Sequence, residues 1–416
     1  MPRPERAATT EREPWEPFEP DYYQAVDQAF FGAIVDEYFR GELHGAAHLP
    51  AKGPVILAAN HSGTAFPYDA MVLDVLLWRH EAMDPARKIR TVYEKELTMT
   101  WWMRPFGIDN FWRRGGGVDL TFDNFDRLLA RGDRLLYFPE GVPGIGKGFQ
   151  KRYQLQRFST SFIIMAARHD APVVPVHIVN AEWVIPFNFT LRPIDALVER
   201  LLKVPFLPLP AAPLGLDFPW LWYLALPARM VCIAGAPIDV RALLRAEGCE
   251  SVDTADRALL QRVAERIRVQ MQGELDAHVR THGHAPYHWP SLAAAFRAAG
   301  PRRWRLLPTA WPLQFVRHMR DRLRAPARSR WHAFWRDWDL LGFYLPLGWF
   351  FLAATRAWRR PPYGYRGLSR HDARERQGQF LWSLQERPLP PREPPVAVEP
   401  RTPRAGTAPP TPVATR

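Results

Sequence analysis

The chain has 416 residues and a mass of 48.0 kDa, enough for a large core with additional segments around it. Its net charge of +12 favours an anionic partner, and its 17 Trp favour a membrane surface over nucleic acid as that partner. The two cysteines lack metal-ligand spacing, which excludes a disulfide framework and a structural zinc site and indicates a reducing compartment. Residues 1–20 contain no apolar signal-peptide core, so export is not expected.

Alternating strands and helices are predicted after a charged, Pro-rich tail at 1–19 that we expect to be disordered. Apolar residues spaced three or four apart predict an amphipathic helix first, and these are Tyr23, Val26, Phe30, Ile34 and Tyr38. Strands are predicted at 55–57, 89–93, 134–138, 172–179 and 230–234, and further helices at 97–103, 122–132, 162–167 and 256–282. This order predicts an α/β fold with a mainly parallel central sheet flanked by helices.

A histidine and an aspartate flank one short loop in the stretch GPVILAANHSGTAFPYD. The apolar strand ends at Asn60 and His61, and a loop containing Gly63 and Pro67 leads to Asp69 at the start of an apolar helix. A carboxylate can fix the tautomer of a histidine and stabilise its protonated form, which makes the imidazole a general base. We therefore predict that His61 and Asp69 are a catalytic pair.

Further short blocks follow in an order that resembles a known family. Asn60-His61-Ser62-Gly63 with Asp69 comes first, and the later blocks are GIDNFWR from Gly107 to Arg113, Phe138-Pro139-Glu140-Gly141, Val174-Pro175-Val176 and Gly235-Ala236-Pro237-Ile238. Over roughly residues 40–280 this pattern resembles the glycerolipid acyltransferase family, which includes glycerol-3-phosphate and lysophosphatidic acid acyltransferases. The resemblance places an acyltransferase domain at 20–285.

The resemblance implies transfer of a fatty acyl group from a thioester, on coenzyme A or acyl carrier protein, to a lipid hydroxyl. His61 would take the proton of the attacking hydroxyl while Asp69 orients the ring, without a covalent acyl-enzyme, a metal or a further cofactor. By similarity, the substrate-binding residues would be Asn60, Gly107, Arg113, Glu140 and Gly141. Arg113 offers a fork for a phosphate, and Glu140 offers a hydrogen-bond acceptor for a glycerol hydroxyl.

Two departures from the family pattern concern the loops. Ser62 to Tyr68 separate His61 from Asp69, where the family usually has four residues, so the loop must fold back to pair them. Pro143 stands where the third block usually has an Arg. The positive charge of the missing Arg would then come from another basic residue, namely Arg113, Arg114, Lys147, Lys151 or Arg157. Otherwise the acceptor would lack a phosphate.

Two other functions compete with acyl transfer. Gly141 to Lys147 has the glycine spacing of a phosphate-binding loop, although Gly148 replaces its Ser or Thr and Pro143 removes a backbone N–H. A non-catalytic basic protein that binds membrane or nucleic acid is the second alternative. Its arginines alternate with apolar runs, and the sequence carries no recognition-helix or RNA-binding signature, so nucleic acid is not the expected partner.

Two apolar stretches lie in or after the predicted domain. The Pro-punctuated residues 203–229 predict either a buried insertion or a membrane-dipping loop. Residues 286–386 predict an Arg- and Trp-rich helical extension that associates with an anionic membrane, before a Pro-rich disordered tail at 387–416. Within it, 340–355 is uncharged but shorter than the ~20 residues of a spanning helix and interrupted by Pro346, which predicts interfacial or re-entrant placement. We expect a peripheral or monotopic protein on the cytoplasmic face of the cell membrane.

Overall fold

A computed structural model of the chain describes residues 18–63, 66–93, 111–191, 193–195, 197, 209, 211–323 and 328–356. All of them lie within one unit, Met1–Gly367. Almost all of the predicted N-terminal tail, the helix predicted at 97–103 and the predicted tail at 387–416 lie outside the described residues, so these predictions stay predictions.

One sheet organises the described part of the chain. Its strands are β1 (Glu42–His44), β2 (Val55–Ala59), β3 (Arg90–Tyr93), β4 (Val118–Asp119), β5 (Arg134–Tyr137), β6 (Val173–Val179) and β7 (Val231–Ala234). They are ordered β1-β7-β6-β2-β5-β3-β4, and each neighbouring pair is parallel except β6 with β7. The predicted mainly parallel α/β fold is confirmed.

Helices cover both faces of the sheet. The helices of the described ranges include α1 (Pro20–Val26), α2 (Tyr68–His80), α3 (Phe111–Arg114), α4 (Phe122–Ala130), α5 (Val142–Ile145), α6 (Ser161–His169), α7 (Ala211–Asp217), α8 (Val240–Ala246), α9 (Arg257–His282), α10 (Trp289–Ala299), α11 (Trp311–Leu323), α12 (Arg330–Asp337) and α13 (Gly348–Arg356). Helices α4, α6 and α9 form one layer, and α2 with the N-terminal helix forms the other. Every residue of β2 and β6 is buried, as expected for strands covered on both faces.

The N-terminal helix differs in type from the prediction. After α1 it continues as two π-helical segments, Asp27–Phe31 and Ala33–Tyr38. Core-facing residues step by five from Val26 to Phe31, which the i→i+5 geometry of a π-helix accommodates. Phe31 is therefore fully buried, whereas the predicted Phe30 is only partly buried. The helix packs on the main core.

A buried polar cluster fixes this helix to its neighbours. The Asp74 carboxylate accepts hydrogen bonds from Lys88 Nζ at 2.8 Å, from Thr91 Oγ1 at 2.6 Å and from the Tyr23 hydroxyl. Burial lowers the pKa of Lys88, although Asp74 acts in the opposite direction, and burial raises the pKa of Tyr23. The cluster joins α1, α2 and β3.

The segments after Pro286 pack on the same core. The Trp311 ring lies edge-on to Tyr38 and Tyr68, with centroid distances of 5.0 Å and 5.8 Å. Among the helices in the described ranges, none combines the length and apolar character needed to cross a membrane.

The apolar run at 340–355 divides into two elements. A 3₁₀ segment, Trp338–Tyr344, and helix α13 are separated near Pro346. Leu340, Phe343 and Leu352 are fully buried in the main core, whereas Leu347 and Phe350 are exposed. One side of the run is buried because its apolar residues pack against the main core. Interfacial or re-entrant placement of the exposed side of the run stays a prediction.

The Pro-punctuated segment at 203–229 is described at 209 and from 211 onward. Helix α7 is followed by a 3₁₀ segment, Pro219–Tyr223. Ala225 and Ala228 are buried, which agrees with the buried-insertion alternative for this half, whereas Leu214 and Leu216 of α7 are exposed.

Candidate active site

The predicted catalytic histidine follows the central strand β2. In register, Ala59 pairs with Val176 of β6, and the chain leaves the sheet at Asn60. The Asn60 side chain accepts a hydrogen bond from Ile178 N at 2.7 Å and donates one to Ile178 O at 3.1 Å. The amide thus continues the strand pairing one residue beyond β2, and this fixes where His61 begins the loop.

The loop after His61 folds back to bring in Asp69, the second residue of α2. His61 Nδ1 lies 3.0 Å from Asp69 Oδ2, and both side chains are buried. Asp69 Oδ2 also accepts from Ser62 N at 2.8 Å and from Ser62 Oγ at 3.1 Å, while Oδ1 accepts from Ala70 N at 2.8 Å. The longer loop therefore still pairs the two residues.

The electrostatics of this pair favour an ionised carboxylate. Burial acts to raise the pKa of Asp69, but the charge of His61 and the hydrogen bonds from His61, Ser62 and Ala70 together hold it below its usual value. With Nδ1 engaged by Asp69, Nε2 is the ring nitrogen that can exchange a proton with a substrate. The Phe138 ring stacks on the imidazole at a centroid distance of 4.1 Å and an interplanar angle of 12°, which restricts its rotation.

The Glu140 carboxylate supports the histidine from the loop after β5. Its Oε1 accepts a hydrogen bond from His61 N at 2.9 Å, and its Oε2 accepts one from Gln156 N at 2.7 Å. The side chain is completely buried. Both carboxylate oxygens of Glu140 are therefore engaged by backbone N–H groups, one of them that of His61.

Two glycines allow the loop after β5 to approach the histidine. Gly141 has a positive φ of 55°, which side chains other than hydrogen disfavour. A Cβ at Gly144 would lie 2.6 Å from Glu140 Cβ and 3.0 Å from His61 Cβ. Any larger residue at position 144 would push these two side chains apart.

Lys147 is buried beneath the His61 loop. Its Nζ lies 3.8 Å from Glu140 Oε2, 3.9 Å from Glu182 Oε1 and 3.4 Å from Gln154 O, and its side chain is 0% exposed. Its stem packs against Gly63, where a Cβ would lie 2.8 Å from Lys147 Cγ. This lysine cannot reach a nucleotide phosphate in this arrangement, which argues against a phosphate-binding loop.

Glu182 and Asn188, which follow β6, complete the polar support. Asn188 Nδ2 donates to Gly63 O at 2.8 Å, and Glu182 Oε1 accepts from Tyr153 N at 3.2 Å. Burial raises the pKa of Glu182 to about 7, although Lys147 acts to lower it. Lys147, Glu140 and Glu182 therefore form one buried charged cluster.

Comparison with known proteins identifies the segment that carries this geometry. Residues 40–179 match the family model described as Acyltransferase. This range of the chain is therefore similar to acyltransferases. The matched range contains His61, Asp69, Glu140 and Lys147, and it confirms the predicted resemblance to the acyltransferase family.

Relatives that match about half of the chain occur in mycobacteria. The chain is 30% identical over 225 residues to an uncharacterized protein of Mycobacterium tuberculosis, covering 52% of this chain and 59% of that protein. It is 31% identical over 215 residues to an uncharacterized protein of Mycobacterium leprae, covering 50% and 55%. The chain therefore spans little more than half the length of these relatives.

One solved structure is also similar. It is the 1-acyl-sn-glycerophosphate (LPA) acyltransferase of Thermotoga maritima, with 15% identity, a TM-score of 0.35, and coverage of 62% of this chain and 81% of that one.

The other residues predicted to bind substrate are only partly described. Gly107 lies outside the described residues, and Arg113 belongs to α3 but its side chain is not described. Arg114 pairs with Glu19, with 2.9 Å between Nε and Oε1, and its guanidinium lies over the Tyr22 ring. Arg114 thus holds the N-terminal helix.

Sequence reasoning missed Glu182 and Asn188 of this site. Neither lies in a family block, but both follow β6, just as His61 follows β2 and Glu140 follows β5. Because ligands in parallel sheets bind beyond the carboxyl ends of the strands, polar residues after β6 were the available signal.

Proposed function

We propose that the protein is an O-acyltransferase that moves a fatty acyl group from acyl-coenzyme A or acyl carrier protein to a hydroxyl of a glycerolipid-type acceptor. The observation that carries this proposal is the buried His61–Asp69 pair inside the range that is similar to acyltransferases, with 3.0 Å between Nδ1 and Oδ2. This arrangement suits an imidazole that takes a proton at Nε2 while a carboxylate stabilises the resulting positive charge.

The reaction then proceeds by direct transfer. His61 Nε2 takes the proton of the acceptor hydroxyl as its oxygen attacks the thioester carbonyl carbon, and a tetrahedral intermediate forms. When the C–S bond breaks, the leaving thiolate takes the proton from His61, so the base is regenerated. Ser62 is poorly placed as an acyl carrier because its hydroxyl is buried and donates to Asp69.

The residues predicted to bind substrate divide into two groups. The contacts of Asn60 and Glu140 with backbone groups favour positioning roles, and a direct contact of either with substrate stays a prediction. We propose, by similarity to the family blocks, that Gly107, Arg113 and Gly141 bind the acceptor. Arg113 would bind a phosphate of the acceptor, since Lys147 is buried and engaged by carboxylates.

We further propose that the protein works as a peripheral or monotopic protein at the cytoplasmic face of the cell membrane. A lipid acceptor resides there, and the net charge of +12 favours an anionic surface. Phospholipid biosynthesis is the metabolic role that this placement suits.

A direct assay tests the proposed reaction. The purified protein is incubated with labelled acyl-coenzyme A or acyl carrier protein and a panel of lysophospholipids, glycerol-3-phosphate and diacylglycerol, and the labelled lipid is identified. We expect an ester product from one acceptor class and its loss in His61→Ala. His80→Ala, which changes an exposed histidine at the end of α2, serves as the matched control. Absence of any labelled product with every pair would contradict the proposal.

A further inference from the structure

Helix α12 and the residue after it, Trp338, expose aromatic side chains along one face. Trp331 is 73% exposed and Trp335 is 66% exposed, and Phe334 and Trp338 are exposed as well. Their spacing of three, four and seven residues from Trp331 places them on one side of a helix. We call these four residues the outer aromatic face.

The C-terminal end of α12 is fixed to α11 by charge. Asp337 is buried and accepts hydrogen bonds from Arg317 Nε at 3.1 Å and from Arg336 Nε at 3.0 Å. At the start of the helix, Ser329 Oγ accepts from His332 N at 3.1 Å. The helix therefore places its charged anchor inward and its aromatic rings outward, the reverse of an ordinary surface helix.

Exposed apolar side chains continue from this face onto two other elements. The Trp338 ring lies 5.5 Å from the Phe351 ring of α13, where Phe350 is 76% exposed. Leu347, the residue before α13, donates from its N to Asp217 O at 2.6 Å. This bond joins the start of α13 to the end of α7, where Leu216 is exposed. Exposed apolar side chains thus lie on two segments that are separate in sequence, 211–217 and 330–356, and that contact each other.

This part of the protein is also connected to the catalytic loop. Trp311 of α11 contacts Tyr68, the residue before Asp69. The Phe66 ring lies 5.6 Å from Tyr223, which ends the 3₁₀ segment after α7. A partner on the exposed apolar groups would be held at a fixed position relative to His61.

We propose that the outer aromatic face rests on an anionic lipid bilayer. Trp side chains favour the boundary between headgroups and acyl chains, and the exposed Arg328 and Arg330 at the start of α12 match anionic headgroups. The proposal deepens the proposed function, on which it rests for the lipid substrate. It assigns bilayer contact to α12 and its neighbours in place of the whole apolar run at 340–355.

Vesicle flotation of the full chain tests this assignment. Wild type should float with vesicles of phosphatidylglycerol and phosphatidylcholine, and less with phosphatidylcholine alone. Trp331→Ser/Trp335→Ser should lower the bound fraction about tenfold, since two apolar side chains leave the interface. The matched control is Trp289→Ser, which removes a 61% exposed Trp from α10 and should bind like wild type. Thermal unfolding checks that each variant is folded.

A second measurement separates this inference from the proposed reaction. Acyl transfer between a short-chain thioester and a water-soluble acceptor should be equal in wild type and the double variant, while transfer to an acceptor in anionic vesicles should fall with binding. Flotation without any acyl transfer would overturn the proposed function and leave the surface assignment intact. Equal flotation of wild type and the double variant would overturn the surface assignment. So would light scattering that shows a wild-type dimer, a monomeric double variant and no vesicle binding by either.

Discussion

We call the residues that follow β2, β5 and β6 around His61 the catalytic edge of the sheet. The catalytic edge and the outer aromatic face depart from ordinary burial in opposite ways. At the catalytic edge, Asp69, Glu140 and Lys147 are buried although charged, and at the outer aromatic face Trp331 and Trp335 are exposed although apolar. Each buried charge at the catalytic edge has partners within the chain, whereas the aromatic rings leave a large apolar surface in water. The buried charges at the catalytic edge are therefore compensated by other residues of the chain, whereas the outer aromatic face is the surface that we propose rests on a bilayer.

Lys147→Met tests whether the buried charges of the catalytic edge depend on one another for stability. Replacing Lys147 by Met keeps the stem but removes the positive charge between Glu140 and Glu182. We expect the free energy of unfolding to fall by about 3–5 kcal/mol, because buried carboxylates would lose their counter-charge. Urea unfolding measures this loss. Lys151→Met in the same loop is the control, since Lys151 is only partly buried, and equal small losses in both variants would contradict the account.

Glu140→Gln tests whether Glu140 positions His61 or contacts the substrate. An amide nitrogen would replace one of two oxygens that accept from His61 N and Gln156 N, so the histidine would shift. We expect kcat to fall about 10–100-fold with little change in either KM, because small displacements of a catalytic group are costly.

Arg113→Ala provides the comparison for Glu140→Gln in the same assay. It should raise the KM of a phosphate-bearing acceptor. A raised acceptor KM with unchanged kcat in Glu140→Gln would instead place Glu140 on the acceptor.

The smallest effect concerns pH and Glu182. Burial raises its folded-state pKa from the ordinary 4.5 to about 7, so the folded chain retains a proton that the unfolded chain releases. Its contribution to stability is fully present below pH 4.5 and is lost as the pH rises through about 7. The free energy of unfolding should decline between about pH 5 and pH 8 by roughly 1–3 kcal/mol more in wild type than in Glu182→Gln. Parallel pH profiles for the two proteins would contradict this assignment.

The sequence predicted five of the seven strands in the described part of the chain and missed the short strands β1 and β4. It also predicted the residues that follow β2 and β5, because the apolar runs end at His61 and Glu140. It did not predict the strand order or the position of Lys147. From sequence alone, Gly141 to Lys147 resembles a phosphate-binding loop, and only the structure shows that Glu140 and Glu182 surround the lysine. These features depend on contacts between residues distant in sequence.

Contacts between residues distant in sequence also decide which C-terminal segments are buried. The runs at 330–338 and 340–355 are similarly aromatic or apolar in sequence. Tertiary packing buries Leu340, Phe343 and Leu352 and leaves the outer aromatic face in solvent. Local composition therefore predicted membrane contact for the longer run, whereas its buried side belongs to the core.

The central claim is that His61, oriented by Asp69, is the general base of acyl transfer. The most direct test is the single-turnover rate of acyl transfer by His61→Ala, measured beside its thermal unfolding and beside Asp69→Asn. We predict a rate about 10²–10⁴-fold below wild type for His61→Ala in a folded protein, and a similar loss for Asp69→Asn. Wild-type rates in a folded His61→Ala protein would contradict the account.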